Sequence, residues 1–305
     1  VIRKSGFLEF FEQNTTIDDI GGLTVLKTWL GKRYKAFSKE ARQFGIPEPK
    51  GILLVGPPGV GKSLVAKTTG NLWKMPVLRL DVGRLMTAYV GESEANSRSA
   101  QKVAESVAPC ILWIDEIEKG FAGSKSSSQL DAGVMARVFG TFITWMQEKK
   151  SPVFIVATAN NVENLPPELL RKGRFDEIFA IDLPSLEERI AILGVHIRKS
   201  GRKSNDFDCR QLAGMTEGFS GAELEGGISS ALIHVFDEDH ELKTDDIANE
   251  LAQTTPLSTT MKHEIETLRN WIHGRARLAN EPEKNEQNNI MKQRRREPVL
   301  AGSGV

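Results

Sequence analysis

The stretch GILLVGPPGVGKSLVAK (51–67) constrains this 305-residue chain more than any other. An apolar run of strand length stops at a turn rich in glycine and proline, which leads into a segment of helical composition. Gly56 to Ser63 matches G-x-x-x-x-G-K-[ST] in the strand–loop–helix context that this motif requires. Gly56, Gly59 and Gly61 let backbone N–H groups converge on an anion, and the dipole of the following helix adds positive potential. Lys62 contributes a point charge for the β- and γ-phosphates, and Ser63 an oxygen for Mg²⁺. Pro57, Pro58, Val60 and Leu64 complete the cradle, whose ligand is expected to be a nucleoside triphosphate.

Similar apolar runs recur as VLRLDV (77–82), ILWI (111–114), VFIVAT (153–158) and EIFAIDL (177–183), separated by segments of helical length. The alternation predicts an α/β domain over residues 15–184, with a parallel five-stranded sheet flanked by helices. After Pro184 only helical periodicity is found, which predicts a small all-helical domain over 185–278. Residues 1–14 read as a linker from a missing upstream portion, because the chain begins at Val1 without methionine. Residues 279–305 are polar and aperiodic and read as a disordered tail, and GSKSSSQLDAG (123–133) as a flexible loop.

Lysine plus arginine and aspartate plus glutamate each number 40, so no global field favours nucleic acid or an anionic membrane. No apolar stretch reaches the roughly 18 residues of a membrane span. Cys110 and Cys209 lie far apart, and Cys110 opens an apolar run; this reads as a buried thiol in a reducing, cytoplasm-like compartment.

The run ILWIDEIEKG ends in two acids. Asp115 is placed to hold a Mg²⁺ shell, and Glu116, one residue on, to polarise a water; two such acids at a strand end can also be a solvated edge. VATANN offers Asn160, a neutral amide that orients an attacking water, touches a γ-phosphate, or simply makes a turn. LLRKGRFDE follows with Arg171 and Arg174, either two surface arginines paired with Asp176 or Glu177, or guanidiniums for a transferring phosphoryl group, which can act on another molecule.

Taken together, DDIGG (18–22), GPPGVGKS, YVGESE, WIDEIEKG, ATANN, LLRKGRFD and GFSGAEL (218–224) resemble the AAA ATPase module in order and spacing over roughly residues 15–255. CILWIDEIEKGFAG, RVFGTFITWMQEK and PLSTTMKHEIETLRNWIHGRARLA are similar to the AAA proteins encoded as a hypothetical reading frame in plastid and cyanobacterial genomes, a group with no firmly assigned substrate. The resemblance implies that Asp19, Ile20 and Gly21 line an adenine pocket, that Ile192 and His196 contact base and ribose, and that Gly221 and Ala222 close the site from a helical lid. It implies that Asn160 senses the γ-phosphate and that Arg171 and Arg174 are arginine fingers acting on a neighbouring subunit, normally in a ring of six. Asn161 stands where close relatives usually carry arginine, and GFSGAEL lacks the arginine some clades use as a second sensor.

The triplet Tyr89, Val90 and Gly91 corresponds to the aromatic turn that faces the channel of such rings, where an aromatic can wedge against an extended polypeptide. A tyrosine packed under its own loop is the alternative. The expected activity is therefore ATP-driven remodelling of a protein substrate, or of one brought by an adaptor, in the cytoplasm or plastid stroma. A nucleotide-gated assembly switch is the second reading, and net neutrality places a nucleic-acid motor last.

Overall fold

The structure is a computed structural model and describes residues 6–12, 15–86, 92–122 and 129–281. Among these residues the strands are β1 (Leu8–Phe11), β2 (Gly51–Val55), β3 (Val77–Leu80), β4 (Cys110–Ile114), β5 (Val153–Ala159), β6 (Glu177–Ala180) and β7 (Arg277–Leu278). They form one sheet in the order β1-β3-β4-β5-β2-β6-β7.

The five strands expected from the sequence form its parallel centre. Their near-continuous apolar runs reflect cover on both faces. On one face Leu53, Leu112 and Ile155 pack against α3 (Glu92–Val107) and α4 (Gln129–Glu148) through Ala104, Phe142 and Met146. On the other, Leu54, Ile111 and Phe154 meet α1 (Thr24–Arg33) and α2 (Lys62–Trp73) through Leu26, Leu30 and Val65. The Trp73 ring lies 4.5 Å from Phe154, and its Nε1 donates to the Leu30 carbonyl at 3.1 Å.

The sheet exceeds the expected five strands at both edges. β1 pairs antiparallel with β3, Leu8 opposite Leu80 and Phe11 opposite Val77, so the supposed linker over 1–14 contains a strand. LEFF is too short to show alternation, and its two middle residues are exposed at the sheet edge, which hides it from a periodicity argument. β7 is only two residues long and pairs parallel with β6.

The helical body has its own core, built by α5 (Leu186–Lys199), α6 (Cys209–Gly214), α7 (Gly221–Asp237) and α8 (Thr244–Ala252) around Leu193, Leu212, Leu224, Ile228 and Leu251. Capping boxes start α5 at Ser185 with Glu188 and α7 at Ser220 with Glu223, satisfying orphan amides at both helix starts.

This body ends before residue 278. The amphipathic helix α9 (Lys262–Ile272) returns to the α/β domain, where Leu268 and Ile272 join the α3/α4 core. Arg269 holds Asp182 with two hydrogen bonds, Nε to Oδ2 at 2.7 Å and Nη2 to Oδ1 at 3.1 Å. Nor does the ordered fold stop at 278. Ala279 is buried and donates to the Ala180 carbonyl at 2.9 Å, and the Asn280 side chain accepts from Thr24 N at 3.1 Å. Residues 282–305 lie outside the described residues.

Because Leu268 is only 4% exposed, Leu268→Ala is expected to destabilise the α/β domain by about 2–5 kcal/mol. Denaturant unfolding checks this; a loss within about 0.5 kcal/mol would make α9 an appendage.

Cys110 is fully buried and donates to the Ala104 carbonyl, and burial pushes its thiol up to about 12. Cys209 is half-buried, and both thiols are free.

Candidate functional site

The 56–63 loop sits at the carboxyl end of β2, between α2 and the neighbouring strand ends. Gly59 and Gly61 have φ of +78° and +90°, which side-chain-bearing residues rarely adopt, and Gly61 leads directly into α2. Lys62 is 6% exposed, and its ammonium donates to the carbonyls of Gly56 at 2.8 Å and Pro57 at 2.6 Å. Burial lowers its pKa to about 8, while the carboxylates of Glu118, Asp115 and Glu116 pull it back up. Val60 and Leu64 pack on the α1/α2 core.

A continuous hydrogen-bond chain links this loop to the ends of β4 and β5. Ser63 Oγ donates to Asp115 Oδ1 at 2.8 Å, and Thr158 Oγ1 donates to the same oxygen at 2.8 Å. Thr158 Oγ1 in turn accepts from Glu116 N at 2.9 Å. Asn160 Nδ2 then donates to Glu116 Oε1 at 2.8 Å, so the side chains of both acids are fixed from β5. The parallel register that places Ile114 opposite Ala157 brings these groups together. Glu116 itself has φ +50°, a left-handed conformation that turns the chain sharply at the end of β4.

Four contributors to this site were not singled out from the sequence. Thr158, 1% exposed, is the polar residue of an otherwise apolar strand, a signal that was available in VFIVATA. Glu118 is 6% exposed; its Oε1 accepts from Asn160 N at 2.9 Å, and its buried Oε2 has no hydrogen-bond partner among the described residues. Burial raises its carboxyl pKa, against the hydrogen bond from Asn160 N. Lys119 forms an ion pair with Glu116 Oε2. Arg79, from β3, lies over the Trp113 ring with Nη2 3.9 Å from Asp115 Oδ2 and Nη1 3.7 Å from Glu9 of β1.

On the opposite side of the loop the helical body closes in. The turn at Ile20 and Gly21 meets α5 so tightly that a Cβ on Gly21 would lie 2.5 Å from Ile192 Cγ1 and 2.8 Å from its backbone N. Asp19 pairs with Lys199 of α5 at 3.3 Å. His196 lies beside Glu225 of α7 at 3.5 Å; burial lowers its pKa, with Glu225 opposing. Ala222 N donates to the Gly59 carbonyl at 3.0 Å, and Gly221 packs on that same carbonyl. The structure thus brings Asp19 and Gly21 to α5, buries Ile20 between them in the α1/α2 core, and brings Gly221 and Ala222 to the 56–63 loop.

Arg171 and Arg174 follow the short helix Pro167–Leu170. Arg171 is exposed and makes no side-chain hydrogen bond or ion pair among the described residues. Among the described residues, Arg174 Nη1 reaches the Lys172 carbonyl alone, at 3.5 Å. Neither is bonded to an acid among the described residues. Tyr89, Val90 and Gly91 lie outside the described residues, as do 123–128 of the serine-rich loop.

A sheet with a parallel centre, a G-x-x-x-x-G-K-S loop after β2, an acid pair after β4 and a helical body docked on the loop is the architecture of a P-loop nucleotide-binding domain. More narrowly, the chain carries an AAA domain: the model of the ATPase family associated with various cellular activities (AAA) matches residues 52–183. Over 281 residues it is 52% identical to "Uncharacterized AAA domain-containing protein ycf46" of Guillardia theta, covering 92% of this chain and 55% of that protein. The protein of the same description from Pyropia yezoensis is 49% identical, with 92% and 57% covered. This chain therefore spans little more than half the length of these relatives. The crystal structure of the FIGL-1 AAA domain shares the fold, with a TM-score of 0.71, 19% identity, and 90% of this chain and 94% of that chain covered. Among the described residues, no helix is long and apolar enough to cross a membrane.

Proposed function

We propose that this chain is an ATP-hydrolysing AAA subunit that works as a homo-oligomer, expected to be a hexamer, and remodels or threads a protein substrate or one delivered by an adaptor. The observation that carries the reading is the hydrogen-bond chain from Ser63 through Asp115 and Thr158 to Glu116 and Asn160. It joins the phosphate loop to a fixed carboxylate that can accept a proton.

The residues fit Mg²⁺ and ATP. The Ser63 hydroxyl and Asp115 carboxylate converge at 2.8 Å as a pair of hard oxygen donors, the set this cation prefers. When bound, the ion would neutralise charge on the β- and γ-phosphates. Lys62 would turn from its loop carbonyls to the phosphates, and the N–H groups of Gly59 to Ser63 would take up their oxygens. Glu116 would accept the proton of the attacking water while Asn160 orients it. Asp19, Ile20, Gly21, Ile192 and His196 would hold the nucleoside, and Gly221 and Ala222 would cover the phosphates. Arg171 and Arg174 would serve the site of a neighbouring copy, a role that suits arginines bonded to no acid among the described residues. Such a protein would work in the plastid stroma or a comparable cytoplasmic compartment.

Threading is tested at Tyr89. Tyr89→Ala is expected to keep basal ATP turnover within about two-fold while ATP-dependent unfolding of a bound protein is lost, followed by fluorescence of a tagged substrate. Undiminished unfolding by that variant would favour the nucleotide-gated assembly switch.

A further inference from the structure

Both oxygens of the Glu116 carboxylate are taken: Oε1 by Asn160 Nδ2 at 2.8 Å, Oε2 by the Lys119 ammonium. Lys119 is held close because its backbone N donates to the Glu116 carbonyl at 2.9 Å, so the lysine folds back over the turn that leaves β4. The two partners are not equally secured. Asn160 is anchored through its backbone on the buried Glu118, whereas the Lys119 side chain is 67% exposed and rests on the ion pair.

A carboxylate held on both oxygens is held in one orientation, and it can meet an attacking water only by swinging off one of those partners. We propose that Lys119 is a positioning residue that restrains Glu116, and that turnover requires Glu116 Oε2 to leave it. The step it limits balances simply. The oxygen of water bonds to the γ-phosphorus as the bridging P–O bond breaks, the water proton passes to Glu116, and the diphosphate leaves. An exposed ion pair is worth little and is easily broken, which is the property a restraint needs if it is to yield once per cycle.

This inference rests on the reading of Glu116 as proton acceptor, and the experiment separates the two. Steady-state hydrolysis of Mg-ATP is compared for the parent, Lys119→Ala, Lys119→Arg, Glu116→Gln and the Lys119→Ala/Glu116→Gln double variant, at a fixed protein concentration. Lys119→Ala is expected to raise kcat about two- to five-fold with KM for ATP unchanged. Lys119→Arg keeps the pair and should match the parent, and the gain should vanish in the double variant. A Lys119→Ala rate at or below the parent's, with Glu116→Gln inactive, overturns the restraint and leaves the base in place. A Glu116→Gln variant that still turns over removes both.

Discussion

Replacing Glu116 by glutamine is expected to leave ATP binding intact and to slow hydrolysis by about 10²- to 10⁴-fold, the range for loss of a general base. The amide keeps the size of the carboxylate but cannot take a proton from water. It also cannot pair with Lys119, yet neither change touches the Lys62 bonds to Gly56 and Pro57 or the backbone at Gly59 and Gly61 that would cradle the phosphates. Affinity for a fluorescent ATP analogue should therefore stay within about three-fold while phosphate release falls. Turnover within about three-fold of the parent would move the base elsewhere in the site.

Removal of Arg171 is expected to cost about 10³- to 10⁵-fold in turnover, the scale of an arginine that stabilises a transferring phosphoryl group. The side chain is exposed and bonded to nothing among the described residues, so its loss should leave stability within about 0.5 kcal/mol. That contrast separates a chemical role from a structural one. A second contrast comes from dilution. If Arg171 completes a neighbour's site, the parent's activity per subunit climbs with protein concentration and Arg171→Ala stays low throughout. Flat activity that is indifferent to the arginine would mean that each subunit hydrolyses alone, and the assembly switch would then become the better account.

The phosphate loop and the acid pair were legible because their chemistry lies in consecutive residues, where spacing alone fixes geometry. What sequence spacing does not reveal is the partner across the sheet. Thr158 and Asn160 lie more than 40 positions from Asp115 and Glu116 and meet them through the pairing of β4 with β5. Glu118 and Lys119 sit in the quoted DEIEK, but only the left-handed turn at Glu116 shows that one goes inward to Asn160 and the other back over the carboxylate. The same limit explains α9. Its amphipathic pattern says that a face is buried and not against what, so sequence alone groups it with the helices it follows, although Leu268 and Ile272 belong to the apolar core of the α/β domain. β1 was missed for the opposite reason: four residues at a sheet edge carry no usable period.

The return of α9 also bears on mechanics. The helical body leaves the α/β domain at Pro184 and rejoins it at α9, which makes it an insertion tethered at two points rather than a trailing appendage. Arg269 clasps Asp182, so the outgoing and returning strands of chain are fastened to each other. The same body touches the loop at Gly59 through Ala222, so a ligand that displaced that contact would be felt by a body held to the sheet domain through the Asp182–Arg269 clasp.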